Sequence, residues 1–149
     1  MMKPKIFIII ISLVSLTLAS CKKEEKKTIE EFSMDALTND AWMLTLNDSN
    51  MSTNPKTGNN VYYAVQDCQK DDVYAFSKSN ELFIDFKNTV CNPSENSKSN
   101  FVFDKTNRKI TIAGVTYTVL ELSEKRLKYT VAVPIASGVN NIIYLFEHF

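Results

Sequence analysis

Along most of the chain apolar and polar residues alternate every second position, the period of a strand with one buried face. The clearest case is "DDVYAFSKSNELFIDFKN". Val73 to Ser77 pairs with Glu81 to Lys87 across Lys78-Ser79-Asn80, and Leu82, Ile84 and Phe86 alternate with Phe83, Asp85 and Lys87. Asn80 suits the turn because Asn is among the few residues besides Gly that tolerate a positive φ. Further on, Asn100 to Asp104 puts Phe101 and Phe103 on one side, Lys109 to Ile112 alternates through Ile110 and Ile112, and Gly114 permits a tight return into Val115 to Leu122. Arg126 to Val133 carries Leu127, Tyr129, Val131 and Val133 on one face and Arg126, Lys128 and Thr130 on the other. The last strand, Asn141 to His148, is apolar on both faces, which predicts pairing with the first strand, Ala41 to Asn47, and cover on its outer side by the N-terminal segment. Val61 to Gln66 is extended, and the stretch leading into Cys68 is expected to cross the barrel mouth.

Eight strands in sequential hairpin order, with no stretch that demands a crossover helix, predict an all-β fold: an eight-stranded antiparallel up-and-down β-barrel. Closure removes exposed edges, and a barrel of this size either fills with side chains or holds one small ligand. The polar loop "DSNMSTNPKTGNN" carries Asn, Pro and Gly in a density that opposes regular structure. Upstream, Thr28 to Asn39 is compatible with a short amphipathic helix or with linker.

The first twenty residues break the alternation. Met1 to Lys5 holds two lysines, Ile6 to Leu18 is almost wholly apolar, and Leu18-Ala19-Ser20 is small-residue punctuation, the three parts of a secretory signal. The apolar run is short for a bilayer span, which needs about 20 residues. The tetrad Leu18-Ala19-Ser20-Cys21 resembles the lipobox of bacterial lipoproteins, which implies that Cys21 is acylated and becomes the new N-terminus. Each buried acyl methylene contributes about 0.8 kcal/mol, and one chain alone holds only marginally, so several chains on Cys21 make an anchor. Lys22 to Lys27 is a mixed-charge run without apolar anchors, a solvated tether. Its lysine and acidic residues after the cysteine also resemble an export signal of some Bacteroidetes lipoproteins, which keeps both a periplasm-facing and a cell-surface outer-membrane location open. The expected division is therefore a signal over 1–20, lipidated Cys21 and tether over 21–39, and the barrel over 40–149.

Charge excludes more than it assigns. Lys plus Arg equals Asp plus Glu at 17 each, and removal of residues 1–20 takes Lys3 and Lys5 and leaves −2. Nucleic acid is an unsuitable partner, because phosphate binding needs clustered positive excess. Of three cysteines, Cys21 is claimed by lipid, and Cys68 and Cys91 remain as an even pair in an exported chain, where oxidising conditions favour a disulfide. No cofactor or metal is expected: two cysteines without CxxC spacing and one distant histidine make a poor zinc set.

Trp42 in "AWMLT", then "CQKDDVYAF", Cys91 in "CNP", "ITIAGVTYTVLELSEKRLKYTV" and the closing "YLFEHF" resemble the lipocalin-like domain of Bacteroidetes lipoproteins over about Asp40 to Phe149. The most specific part is Cys68, Asp71, Asp72, Tyr74 and Phe76. The resemblance implies a small up-and-down barrel on a lipid tether. This chain departs from it at Ser79-Asn80, where the family often has Asp-Gly, and at Ser99-Asn100-Phe101, where it often has Gly-x-Trp.

Candidate chemistry is sparse. The inward candidates are Tyr74, Phe76, Leu82, Ile84, Phe86, Phe101, Phe103, Tyr117, Tyr129 and Tyr144, an apolar set with hydroxyls that suits a small lipophilic ligand or simply fills the barrel. Trp42 is expected to close the barrel floor. Asp71 and Asp72, adjacent in an extended segment, point to opposite faces and so do not converge on one ion; they are expected to be solvated turn residues, with capping or hydrogen bonding of local backbone open to Asp72. His148 lies at the chain end with no nucleophile in a recognisable setting. The expectation is a monomeric, non-catalytic binding or interaction module.

Overall fold

The computed structural model describes residues 30–92, 97–134 and 138–149. Strands are β1 (Ala41–Leu44), β2 (Asn60–Tyr62), β3 (Val73–Phe76), β4 (Glu81–Asp85), β5 (Lys98–Asp104), β6 (Lys109–Ile112), β7 (Val115–Leu122), β8 (Arg126–Ala132) and β9 (Asn141–His148), preceded by α1 (Met34–Thr38). Each of β3 to β8 pairs antiparallel with the next, β1 pairs with β3, and β1 also pairs with β9. Eight strands thereby close into an antiparallel barrel with no free edge. The last strand pairs with the first, as the sequence predicts, with Phe146 opposite Leu44 and Glu147 opposite Met43.

The register sorts the side chains. Trp42 opposes Tyr74, which opposes Ile84; Phe103 opposes Ile110, which opposes Tyr117; Leu122 opposes Leu127, which opposes Phe146. Directly opposed residues share a face, so these rows line the lumen. A bulge between Val119 and Glu121 shifts the phase of β7, so that Val119 and Leu122, three apart, both point inward and are buried. At the hairpin Asn80 adopts φ 63°, as the turn chemistry predicts, and Gly114 adopts φ 84° between β6 and β7.

One end of the barrel, the floor, is sealed. The segment from Glu30 through α1 crosses it: Phe32 N donates to Leu122 O (3.0 Å), Lys78 pairs with Asp35 (2.7 Å), and Lys105 pairs with Glu30 (2.8 Å). Ser33 caps α1 by accepting from Ala36 N at 3.0 Å. Ala36 and Leu37 are buried in the core beneath Trp42. Phe32 takes a positive φ of 51°, rare for a bulky residue, to enter the helix. The N-terminal segment is thus a floor, not the outer cover of β9 that the sequence predicts, because a short helix with two buried residues fits the end of a barrel better than its flat wall.

The outer cover of β8 and β9 comes from elsewhere. The chain between β1 and β2 runs back over the outside of the barrel as a flap, with a 3₁₀ turn at Met51–Thr53. It then re-enters as β2, which pairs parallel with the start of β9, Asn60 opposite Asn141 and Tyr62 opposite Ile143. Of the extended stretch Val61 to Gln66, only the start belongs to a strand, Asn60–Tyr62. Beyond it the chain passes from β9 to β3 past the end of the short β1. Tyr63 and Val65 pack against the core there and fill the wall above β1.

Candidate functional site

The lumen is built from alternate residues of eight strands, and its two ends differ. Toward the floor, Trp42, Phe76, Leu82, Phe101, Ile110, Val119, Leu122, Leu127 and Phe146 are buried, and Trp42 Nε1 donates to Leu37 O at 3.0 Å, so the indole is satisfied where it is sealed. Toward the other end, the mouth, the inward residues Tyr63, Ile84, Ile112, Tyr117 and Tyr144 are half-buried. Tyr129 lies between the two regions at 6% exposure.

Of the ten lumen candidates, Phe76, Leu82, Phe101 and Tyr129 are buried in the core, and Tyr74, Ile84, Phe103, Tyr117 and Tyr144 pack against it half-buried. Phe86 does not join them. Its strand ends at Asp85, because pairing with β5 stops at Phe83 opposite Lys98 and the chain then leaves for the loop that carries Cys91. Phe101 is packed edge-on against Phe76, with centroids 5.0 Å apart.

The aromatic rings make a continuous cluster. Tyr129 contacts Tyr117 (4.8 Å), Tyr144 (5.4 Å) and Phe146 (5.3 Å), and Tyr63 stacks on Tyr144 at 4.7 Å. Such pairs add about 0.5–1.5 kcal/mol beyond their area. Burial, and then the neighbouring phenols of Tyr117, Tyr74, Tyr144 and Tyr63, push the Tyr129 hydroxyl well above its ordinary range. Burial also raises Tyr117 and Tyr144. Tyr117, Tyr129 and Tyr144 thus stand as neutral hydrogen-bonding groups inside an apolar wall, with the Tyr63 ring beside them. Tyr63 donates to Gln69 Oε1 at 3.1 Å, which ties the mouth to the segment before β3.

That segment is pinned. Cys68 and Cys91 form a disulfide, Cα atoms 5.4 Å apart, joining the 3₁₀ turn Asp67–Gln69 to the loop after β4. Asp71 accepts from Asn88 Nδ2 across the same junction. Asp72 is not the solvated turn residue expected from the sequence: it is 2% exposed, held where the turn folds inward with its N–H donating to Gln69 O at 3.3 Å. His148 lies 2.6 Å from Asp40, with its ring edge-on to Trp42 at the floor. Cys21 and the segment 1–29 lie outside the described residues.

The polar feature that sequence reasoning missed is on the outer wall. Lys128, which alternation places outward, is 0% exposed beneath the flap. Its Nζ is surrounded by Asp48 Oδ1 (2.9 Å) and Oδ2 (2.7 Å), Asn50 O (2.8 Å), Thr53 Oγ1 (2.9 Å) and Asn54 Oδ1 (3.1 Å). Tyr62 donates to Asp48 Oδ2 at 2.6 Å and accepts from Asn54 Nδ2 at 2.7 Å. Burial opposes ionisation of Asp48, but hydrogen bonds from Lys128, Tyr62 and the Asn50 N–H outweigh it and hold the carboxyl below its usual range. The only signal in the sequence is the oxygen-rich spacing of Asp48, Asn50, Thr53 and Asn54, which has no meaning until Lys128 is placed beneath it. An ammonium in this cage anchors the flap as a bound cation would. Among the described residues no group of three or more His, Cys, Asp or Glu is placed to hold a metal, and no described helix is long and apolar enough to cross a membrane.

No protein-family model matches the chain, and comparison with curated proteins and with solved structures gives no match. The functional reading therefore rests on the fold and the site.

Proposed function

We propose that this chain is a lipid-anchored envelope lipoprotein of the lipocalin-like kind, held to the membrane through acylated Cys21, which takes a small hydrophobic ligand at the mouth of its barrel. The observation that carries the reading is the asymmetry of the lumen. One end is sealed by α1 and packed with fully buried rings, whereas the inward Tyr63, Ile84, Ile112, Tyr117 and Tyr144 at the other end are only half-buried. Apolar surface left half-wet inside a concave wall, with a few hydroxyls among it, is the composition of a small-molecule site. The mixed-charge tether then sets the barrel off the bilayer, and the site acts by binding without catalysis.

Native mass spectrometry and titration with a fluorescent fatty-acid analogue test this. A copurifying adduct, or saturable fluorescence displaced by an unlabelled fatty acid and weakened by Tyr144→Ala, is expected. Absence of both leaves a second reading, a filled barrel that works through its outer surface at the envelope, which the dense ring contacts around Tyr129 favour. Fractionation checks the anchor separately: Cys21→Ala should move the chain out of the membrane fraction, and its retention there contradicts the assignment.

A further inference from the structure

A second concavity lies on the outer wall, where the floor end of β7 meets the flap and the N-terminal segment. It encloses about 270 Å³ and is lined by Glu31, Phe32, Asn50, Thr53, Arg108 and residues 120–123. Three separate excursions of the chain meet there: the floor segment, the flap and the turn between β5 and β6. None of the lumen aromatics lines it.

Its walls carry both signs of charge in unequal states of satisfaction. Glu121 is mostly buried, with 18% of its side chain exposed, yet it is thinly partnered. It accepts from Asn50 Nδ2 at 3.2 Å, and the two nearby cations, Arg126 and Lys128, come no closer than 3.9 Å. Lys128 is committed to Asp48 and the flap. Arg126 reaches Glu121 only through Nη1 at 3.9 Å, and its Nε is buried with no hydrogen-bond partner among the described residues. Across the cavity Arg108 is exposed, its guanidinium 4.2 Å over the Phe32 ring. Both residues hold φ at 51°, a conformation bulky side chains rarely take and one that tends to be kept where it serves a site. The backbone of Arg108 is fixed against the barrel, its carbonyl accepting from Val119 N at 2.7 Å.

We propose that this cavity binds a small zwitterion, a free α-amino acid whose ammonium meets Glu121 and whose carboxylate meets Arg108. Phe32 and Leu120 give its side chain apolar cover. The wall chemistry selects against the simpler alternatives. An anion alone would face Glu31 and Glu121, and a cation alone would face Arg108. The volume lies at or below the small end of ligand cavities, roughly 300–1,000 Å³, which excludes a lipid chain. A guanidinium offers a carboxylate two parallel donors, and a carboxylate with free lone pairs takes an ammonium. The site does not depend on the lumen reading.

Calorimetric titration of the full-length chain in detergent micelles with L-leucine, N-acetyl-L-leucine and L-leucinamide tests it. L-leucine is expected to bind saturably, and blocking either end should weaken binding about 10- to 100-fold, the usual loss for one charge-assisted hydrogen bond. Arg108→Gln should weaken leucine by a similar factor and leave leucinamide unchanged, while Glu121→Gln should weaken leucine and leave N-acetyl-leucine unchanged. Arg108 is exposed, so its variant folds; if Glu121→Gln does not, the Arg108 arm alone decides. Equal binding of the three compounds, or no binding of leucine at millimolar concentration, overturns the proposal. Neither result bears on the lumen, which the fatty-acid probe reads.

Discussion

Lys128 shows how much a single side chain can depend on residues far from it in sequence. Alternation along β8 places it outward, where a lysine is ordinarily solvated. Instead Asp48, Asn50, Thr53 and Asn54 close over it and replace water with five oxygen contacts of 2.7–3.1 Å. A buried ion pair adds little over a well-packed apolar pair, but removing one partner strands the other, at a cost of about 3–5 kcal/mol. Lys128→Met should therefore destabilise the chain by about that amount in urea denaturation, whereas Lys125→Met, at the exposed floor turn, should stay within about 0.5 kcal/mol. Asp48 also sets an acid limit. Its folded-state pKa lies below the unfolded value, so the stability it contributes is full above the ordinary carboxylate range near pH 4 and is lost as pH falls through the folded value. The urea midpoint of the native chain should drop over that window, and Asp48→Asn should flatten the drop.

At the scale of elements, the two ends of the barrel are held by different means. Floor closure is packing: α1 supplies Ala36 and Leu37, and Trp42 Nε1 bonds to Leu37 O. Trp42→Ala should cost about 3–5 kcal/mol, the range for deleting a large buried aromatic, and should loosen protection of the α1 amides in hydrogen exchange before that of β8 and β9. The segment beside the mouth is held covalently. The Cys68–Cys91 bridge spans 23 residues, and closing a loop of that size restricts the unfolded chain by about 3 kcal/mol. Reduction, or Cys68→Ser with Cys91→Ser, should lower stability by about that much and speed amide exchange at Tyr63 to Asp72, with the β7–β9 ladder little changed.

For the whole molecule, the barrel is held together by a neutral aromatic interior, and that interior sets an alkaline limit. The Tyr129, Tyr117 and Tyr144 hydroxyls are raised chiefly by burial. Unfolded tyrosines ionise near pH 10, so between that value and the higher folded ones the unfolded state binds fewer protons and stability falls as pH rises. Phenolate absorbance at alkaline pH should therefore develop together with loss of the β-sheet circular dichroism signal. Tyr129→Phe should shift that transition upward. Ionisation of all six tyrosines near pH 10 with the barrel intact would contradict a closed interior.

Period-two alternation, turn residues such as Asn80 and Gly114, and the apolar two-sided Asn141–His148 strand were sufficient for the sequence by itself to determine an all-β antiparallel barrel, because side-chain period and turn chemistry are local properties. The pairing of Cys68 with Cys91 followed from counting, since the lipobox-like tetrad claims Cys21. What only the tertiary structure decided were the positions of the two irregular segments. The same hydrophobic content allowed the stretch before Trp42 to lie on the wall or seal the floor, and the Asn-rich loop read as solvent-facing until Lys128 was beneath it. Both depend on contacts between residues distant in sequence, 80 positions apart for Asp48 and Lys128, and no local period encodes where a polar segment finds its buried partner.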